Sequence, residues 1–110
     1  MSKPIIAPSL LSANFANLEA DLDSINRSDA DWLHIDIMDG CFVPNITLGF
    51  DLVNAIKSVT DIPLDVHMMV NEPGRFIEQL KLSENDIVCV HYESDIHIHR
   101  TLELIKNKGF

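Results

Sequence analysis

Short apolar runs alternate with amphipathic helical patterns from one end of this chain to the other, and that alternation limits the folds open to it. "PIIAPSL" (4–10), "DWLHIDIM" (31–38), "IPLDVHMMV" (62–70) and "DIVCVHYE" (86–93) each read as a strand. Pro63 is tolerable because it opens its strand. Asn14 can cap a helix running to about Ser28, with Phe15, Leu18, Leu22 and Ile25 at helical spacing. "GFDLVNAIKSV" (49–59) carries Leu52, Val53 and Ile56 on one stripe, and "EPGRFIEQLKL" (72–82) carries Phe76, Ile77 and Leu80. "HIHRTLELIKNKG" (97–109) is the last helix, with Gly109 as its stop signal. Gly40 and Pro44 punctuate the loop "DGCFVPN" (39–45).

Four β-then-α units in 110 residues predict right-handed crossovers and a parallel sheet. No linker or low-complexity tract interrupts them, so residues 1–110 read as one domain without an internal boundary. A doubly wound sheet wants a glycine-rich first βα turn, and "APSLLSANF" has no glycine. A (β/α)8 barrel of the TIM type gathers its chemistry at the C-terminal ends of its strands. Ser9, His34, Asp36, His67 and His91 all fall at such ends. The expected fold is therefore α/β of the (β/α)8 barrel type, with the first four units present as a half barrel.

Within "LHIDIMDG", side chains alternate with period 2. Leu33, Ile35 and Ile37 face a dry layer, while His34, Asp36 and Met38 face the barrel mouth. The titratable pair lies about 7 Å apart along the strand. The third strand repeats the arrangement in permuted form, with Asp65, His67 and Met69 on one face. Two imidazoles and a carboxylate on neighbouring strands suit one divalent metal ion, whether Zn, Fe, Mn or Co. Such a Lewis acid beside an acidic C–H would stabilise an enediolate, and a nearby carboxylate could move the proton.

The other polar groups read differently. Met38 and Met69 are wall residues that could shield a reactive intermediate from water. Ser9 is either a strand-end turn residue or a polar contact to substrate. Asp65 lies deeper in its strand and suits a supporting role, Asp39 belongs to a turn, and His91 lines the cavity. His97 and His99 are two apart at a helix start and face different ways, which argues against a shared metal.

A formal charge of −9 argues against nucleic acid and anionic membranes as partners. Cys41 and Cys89 match no metal-ligand spacing, and Cys89 reads as a small buried hydrophobe. Reduced thiols, the absence of a signal-peptide pattern and of an apolar run near ~20 residues imply a soluble, cytoplasmic protein.

"IAPSLLSANFANL", "WLHIDIMDGCFVPNITLG", "LDVHMMVNEP" and "VHYES" closely resemble the N-terminal half of ribulose-phosphate 3-epimerase. The resemblance implies a (β/α)8 barrel that interconverts D-ribulose 5-phosphate and D-xylulose 5-phosphate, a small phosphosugar reaction of the pentose phosphate pathway. It implies that Ser9 contacts substrate, that His34, Asp36 and His67 are metal ligands, and that His67 borders the substrate. Asp36 doubles as one acid/base carboxylate, and Met38 and Met69 form a sulfur wall over the enediolate. Proton removal from C3 on one face and return on the other is the implied mechanism. A complete barrel needs about 200 residues or more. The family's second acid/base aspartate and its phosphate-binding glycine turns fall outside these residues. The chain alone is accordingly expected to be inactive, and to form homo-oligomers through open sheet edges or be marginally stable. Two alternatives stand beside this reading: a 3-epimerase of a six-carbon ketose phosphate, and a non-catalytic metal-binding half barrel. An aldolase or decarboxylase on a similar barrel would want a strand-end lysine, and these strand ends have none.

Overall fold

The computed structural model describes residues 3–110. Among these, three parallel strands form one sheet in the order β1-β2-β3: β1 (Leu33–Met38), β2 (Leu64–Met69) and β3 (Ile87–Val90). The helices are α1 (Leu18–Asn26), α2 (Phe50–Lys57) and α3 (Ile98–Lys108). The outward residues of β1 and β2 are sealed: Leu33, Ile35, Leu64, Val66 and Met68 are each 0% exposed. They share one core with Leu22 of α1, Val53 and Ile56 of α2, and Ile105 of α3. The other face of the sheet is half-buried and polar. A single helical layer on one face matches a barrel-type sheet and not a doubly wound one.

The expected four-strand count is corrected to three. Residues 4–9 run beside β1 but make only one bridge, Ser9 to His34, and Leu10 already opens the 3-10 turn Leu10–Ser12. The carbonyls of Ile6 and Pro8 accept from Asp31, Trp32 and His34 amides at 2.8–3.1 Å. The return half of the ladder is missing, because Pro4 and Pro8 carry no N–H. The Ile6 amide is spent on the Asp31 carboxylate at 2.8 Å.

The expected helix over 72–82 is also corrected. It is two 3-10 turns, Pro73–Arg75 and Ile77–Gln79, which still bury Ile77 and Leu80. Glu72 enters with φ 50, and Gly74 lies against α3 so closely that a Cβ there would sit 2.7 Å from Thr101 Oγ1. The amides of Phe76, Gln79 and Leu80 bond three residues back, to the carbonyls of Pro73, Phe76 and Ile77, which is 3-10 and not α-helical pairing. Asn14 caps only a 3-10 turn at Phe15–Asn17, and α1 proper starts at Leu18. Gly109 ends α3 in the left-handed region at φ 94, as its position predicts.

Candidate metal centre

The register of β1 against β2 builds the centre. His34 pairs with Asp65, Asp36 with His67, and Met38 with Met69, so three matched pairs climb one face toward the C-terminal strand ends. In a parallel ladder, register partners share a face, and two expectations drawn from alternation along each strand become one surface.

Asp36 is the hub. Its Oδ1 lies 3.0 Å from His34 Nε2 and 3.0 Å from His67 Nδ1. The Asp36 side chain is 13% exposed, against 28% for His34 and 26% for His67. One donor atom from each of these three residues lies within 4.8 Å of the others. Ligands about 2.1 Å from a common ion stand roughly 3.0–3.4 Å apart when adjacent, so this nitrogen and oxygen set can close on a divalent cation. Two imidazoles and one carboxylate also leave coordination positions open to other oxygen ligands.

The second nitrogens of both imidazoles are engaged too. Asp65 Oδ2 lies 2.7 Å from His34 Nδ1, which fits the supporting role read from its depth in the strand. Burial works to lower the His34 pKa, but the hydrogen bonds to Asp65 and Asp36 and their charges outweigh it, and the net shift is upward from 6.5. On the other side, His67 Nε2 lies 2.7 Å from His91 Nε2, and His91 Nδ1 lies 3.3 Å from Glu93 Oε1.

The β1–α2 loop closes beside this network. Asp39 Oδ1 accepts from the Cys41 and Phe42 amides at 2.8 Å, the turn chemistry expected of it, and Oδ2 accepts from the Asn71 amide at 2.9 Å. The Asn71 amide is the largest influence holding the Asp39 carboxyl below its ordinary value. Thr47 Oγ1 donates to the Asp36 carbonyl at 2.7 Å and accepts from the Met38 amide at 2.9 Å. Alternation alone did not single out Thr47, Phe42 or the His91–Glu93 pair. The i, i+2 spacing in "HYE" was the one available signal.

Ser9 is placed beside His34 by its backbone bridge, but its hydroxyl accepts from the Leu11 amide at 3.3 Å and caps the turn Leu10–Ser12. His97 and His99 stay outside the cluster, and His99 pairs with Glu103 at 3.2 Å. The reading of Cys89 as a buried hydrophobe is corrected: it is exposed, because it is the register partner of His67 and so shares the open face. Val88 and Val90 take the core side instead. No helix among the described residues is long and apolar enough to cross a membrane.

Residues 5–110 match the model of the ribulose-phosphate 3 epimerase family. The chain is 50% identical over 104 residues to ribulose-phosphate 3-epimerase of Bacillus subtilis, covering 94% of this chain and 48% of that protein. It is 49% identical over 107 residues to the chloroplastic ribulose-5-phosphate-3-epimerase of Arabidopsis thaliana, covering 96% and 38% respectively. To ribulose-phosphate 3-epimerase of Synechocystis sp. it is 46% identical over 112 residues, covering 99% and 49%. The chain thus spans about half the length, or less, of these relatives. With a family match over residues 5–110, this chain belongs to the ribulose-phosphate 3-epimerase family.

Proposed function

We propose that this chain carries the cation-binding part of an epimerase active site, acting on D-ribulose 5-phosphate and D-xylulose 5-phosphate by moving the proton on C3. The observation that carries the reading is the convergence of His34, Asp36 and His67 within 4.8 Å, in a chain half identical to named epimerases. These three residues hold one divalent metal ion, and Zn, Fe, Mn and Co all suit the donor set. When bound, the cation supplies Lewis acidity that steadies negative charge building on substrate oxygens.

The chain's own residues do the rest. Asp36, with an oxygen beside both imidazoles, takes and holds the C3 proton on one face of the sugar. Met38 and Met69, paired across β1 and β2 just beyond it, keep water from the enediolate. His67 borders the substrate as well as the cation. Ser9 reaches the phosphosugar by giving up its bond to Leu11. The residues form one domain, and the outer edge of β3 together with the incompletely paired 4–10 segment offers surfaces for a homo-oligomer.

A second reading is favoured by one observation. Asp65, the other strand carboxylate on this face, is tied to His34 Nδ1, which leaves Asp36 as the one strand carboxylate set between the two imidazoles. One carboxylate can exchange a proton, whereas inversion needs a partner on the opposite face. The chain would then bind metal without epimerising.

One experiment separates these readings. The chain is titrated with Co²⁺ and then incubated with D-ribulose 5-phosphate in D₂O, with C3 exchange followed by NMR. Tight Co²⁺ binding lost in both His34→Ala and His67→Ala, with exchange lost in Asp36→Asn, is the expected result. Binding and exchange with no D-xylulose 5-phosphate formed favours the non-epimerising reading, and binding indifferent to both histidines rejects the centre altogether.

A further inference from the structure

The two imidazoles of the centre are oriented in different ways. His34 is backed directly by a carboxylate, Asp65, at 2.7 Å. His67 is backed by another imidazole, His91, also at 2.7 Å, which in turn reaches the Glu93 carboxylate at 3.3 Å. A neutral imidazole donates from one nitrogen and accepts at the other. For His67 to turn a lone pair on Nδ1 toward a cation shared with Asp36, its Nε2 must carry the proton and find an acceptor. His91 Nε2 is the only atom bonded to His67 Nε2 among the described residues, and it can accept only if His91 carries its own proton on Nδ1. The Glu93 carboxylate facing that nitrogen selects this tautomer.

Packing fixes the His91 ring. It meets His67 edge to edge and nearly coplanar, with centroids 4.9 Å apart and 27° between planes, and the Phe42 ring from the β1–α2 loop lies tilted against it at 5.2 Å. Its backbone is tied by the Ser94 hydroxyl, which donates to the His91 carbonyl at 2.6 Å.

We infer that His91 is a positioning residue for the metal centre: it accepts the His67 Nε2 proton, so that Nδ1 of His67 is presented to a divalent cation. The inference rests on the metal-binding reading above and assigns the end of β3 to the centre, where alternation gave it only a wall.

The test is a Co²⁺ titration of the full chain, followed by visible absorbance, with circular dichroism melts run beside it. Phe at 91 keeps a ring against Phe42 and His67 but accepts no proton, whereas Gln offers an amide oxygen. His91→Phe is expected to weaken Co²⁺ binding about 10–100-fold, with His91→Gln recovering to within about fivefold of wild type. His91→Phe binding as tightly as wild type overturns the inference, as does a His91→Gln variant no better than His91→Phe. Should His91→Phe fail to fold, ¹⁵N NMR of the Zn²⁺-loaded wild-type chain decides. A proton on His67 Nε2 supports the relay and one on Nδ1 refutes it. A wild-type chain that binds no Co²⁺ sinks the metal-binding reading and the relay with it, whereas tight binding that ignores residue 91 sinks the relay alone.

Discussion

Asp86 offers the sharpest test of how the sheet is held beneath the centre. Its side chain is 0% exposed, yet it is charged and fully partnered. Oδ1 accepts from the Leu64 amide at 2.8 Å and from Lys57 Nζ at 2.9 Å, while Oδ2 accepts from the Ser83 amide at 2.8 Å. One carboxylate thereby ties the last turn of α2, the first residue of β2 and the turn leading to β3. Asp86→Asn replaces one acceptor oxygen with an NH₂ group facing other donors. An orphaned buried N–H costs about 1–3 kcal/mol, and a charge-assisted hydrogen bond contributes about 1.5–3. Lys57, at 22% exposed, regains some hydration, which pulls the total toward about 2–4 kcal/mol. At roughly 4 °C per kcal/mol for a domain of this size, the melting temperature should fall by about 8–16 °C. Burial would raise the Asp86 pKa, but the Leu64 amide, Lys57 and the Ser83 amide outweigh it and hold it below the ordinary 3.8. With the folded pKa below the unfolded one, the contribution is complete above the unfolded value and is lost as pH falls through the folded one. The gap between wild type and Asp86→Asn, read by circular dichroism melts, should therefore be widest near neutral pH and close in acid. An Asp86→Asn chain melting within about 2 °C of wild type at pH 7 would refute the reasoning.

His34 and the β1–α2 loop support two further expectations. Because Asp65 and Asp36 raise the folded pKa of His34 above 6.5, its contribution to stability is full below that value and is lost as pH rises through the folded pKa. In EDTA the melting temperature should thus fall as pH rises above 6.5 and through the folded pKa, and Asp65→Asn should flatten that slope. An unchanged slope in the variant would detach the effect from His34. Gly40 has φ +74, and a Cβ there would meet Ile46 Cγ1 at 2.7 Å, so Gly40→Ala should destabilise by about 1–2 kcal/mol in urea melts. Ile46 is 74% exposed and can swing aside, which keeps that cost from being larger.

Much of the site could be read before any coordinates were known, for a local reason. A strand turns alternate side chains to opposite faces whatever surrounds it, so "LHIDIM" and "LDVHMM" already sorted Leu33, Ile35, Leu64 and Val66 from His34, Asp36, Asp65 and His67. The same locality explains Gly109, whose backbone needs are met within one helix end. Where these expectations failed, a partner distant in sequence was responsible. Residues 4–10 have the look of a strand, but a ladder needs donors on both chains and the prolines remove them. The pattern over 72–82 is helical in period, yet the Glu72 amide is held by the Ser94 carbonyl, Glu72 enters at φ 50, and the turns that follow are 3-10. Cys89 sits in an apolar run, but pairing with His67 turns it to the open face.

Alternation along single strands was enough to say which side chains share a face, because side-chain direction is a property of each strand taken alone. Which of them touch across the sheet was decided only when β1, β2 and β3 came into register, since the 3.0 Å contact of Asp36 with His67 and the 2.7 Å link from His67 to His91 join residues 31 and 24 positions apart. Contact across a sheet depends on the relative shift of two strands, and no single strand encodes that shift.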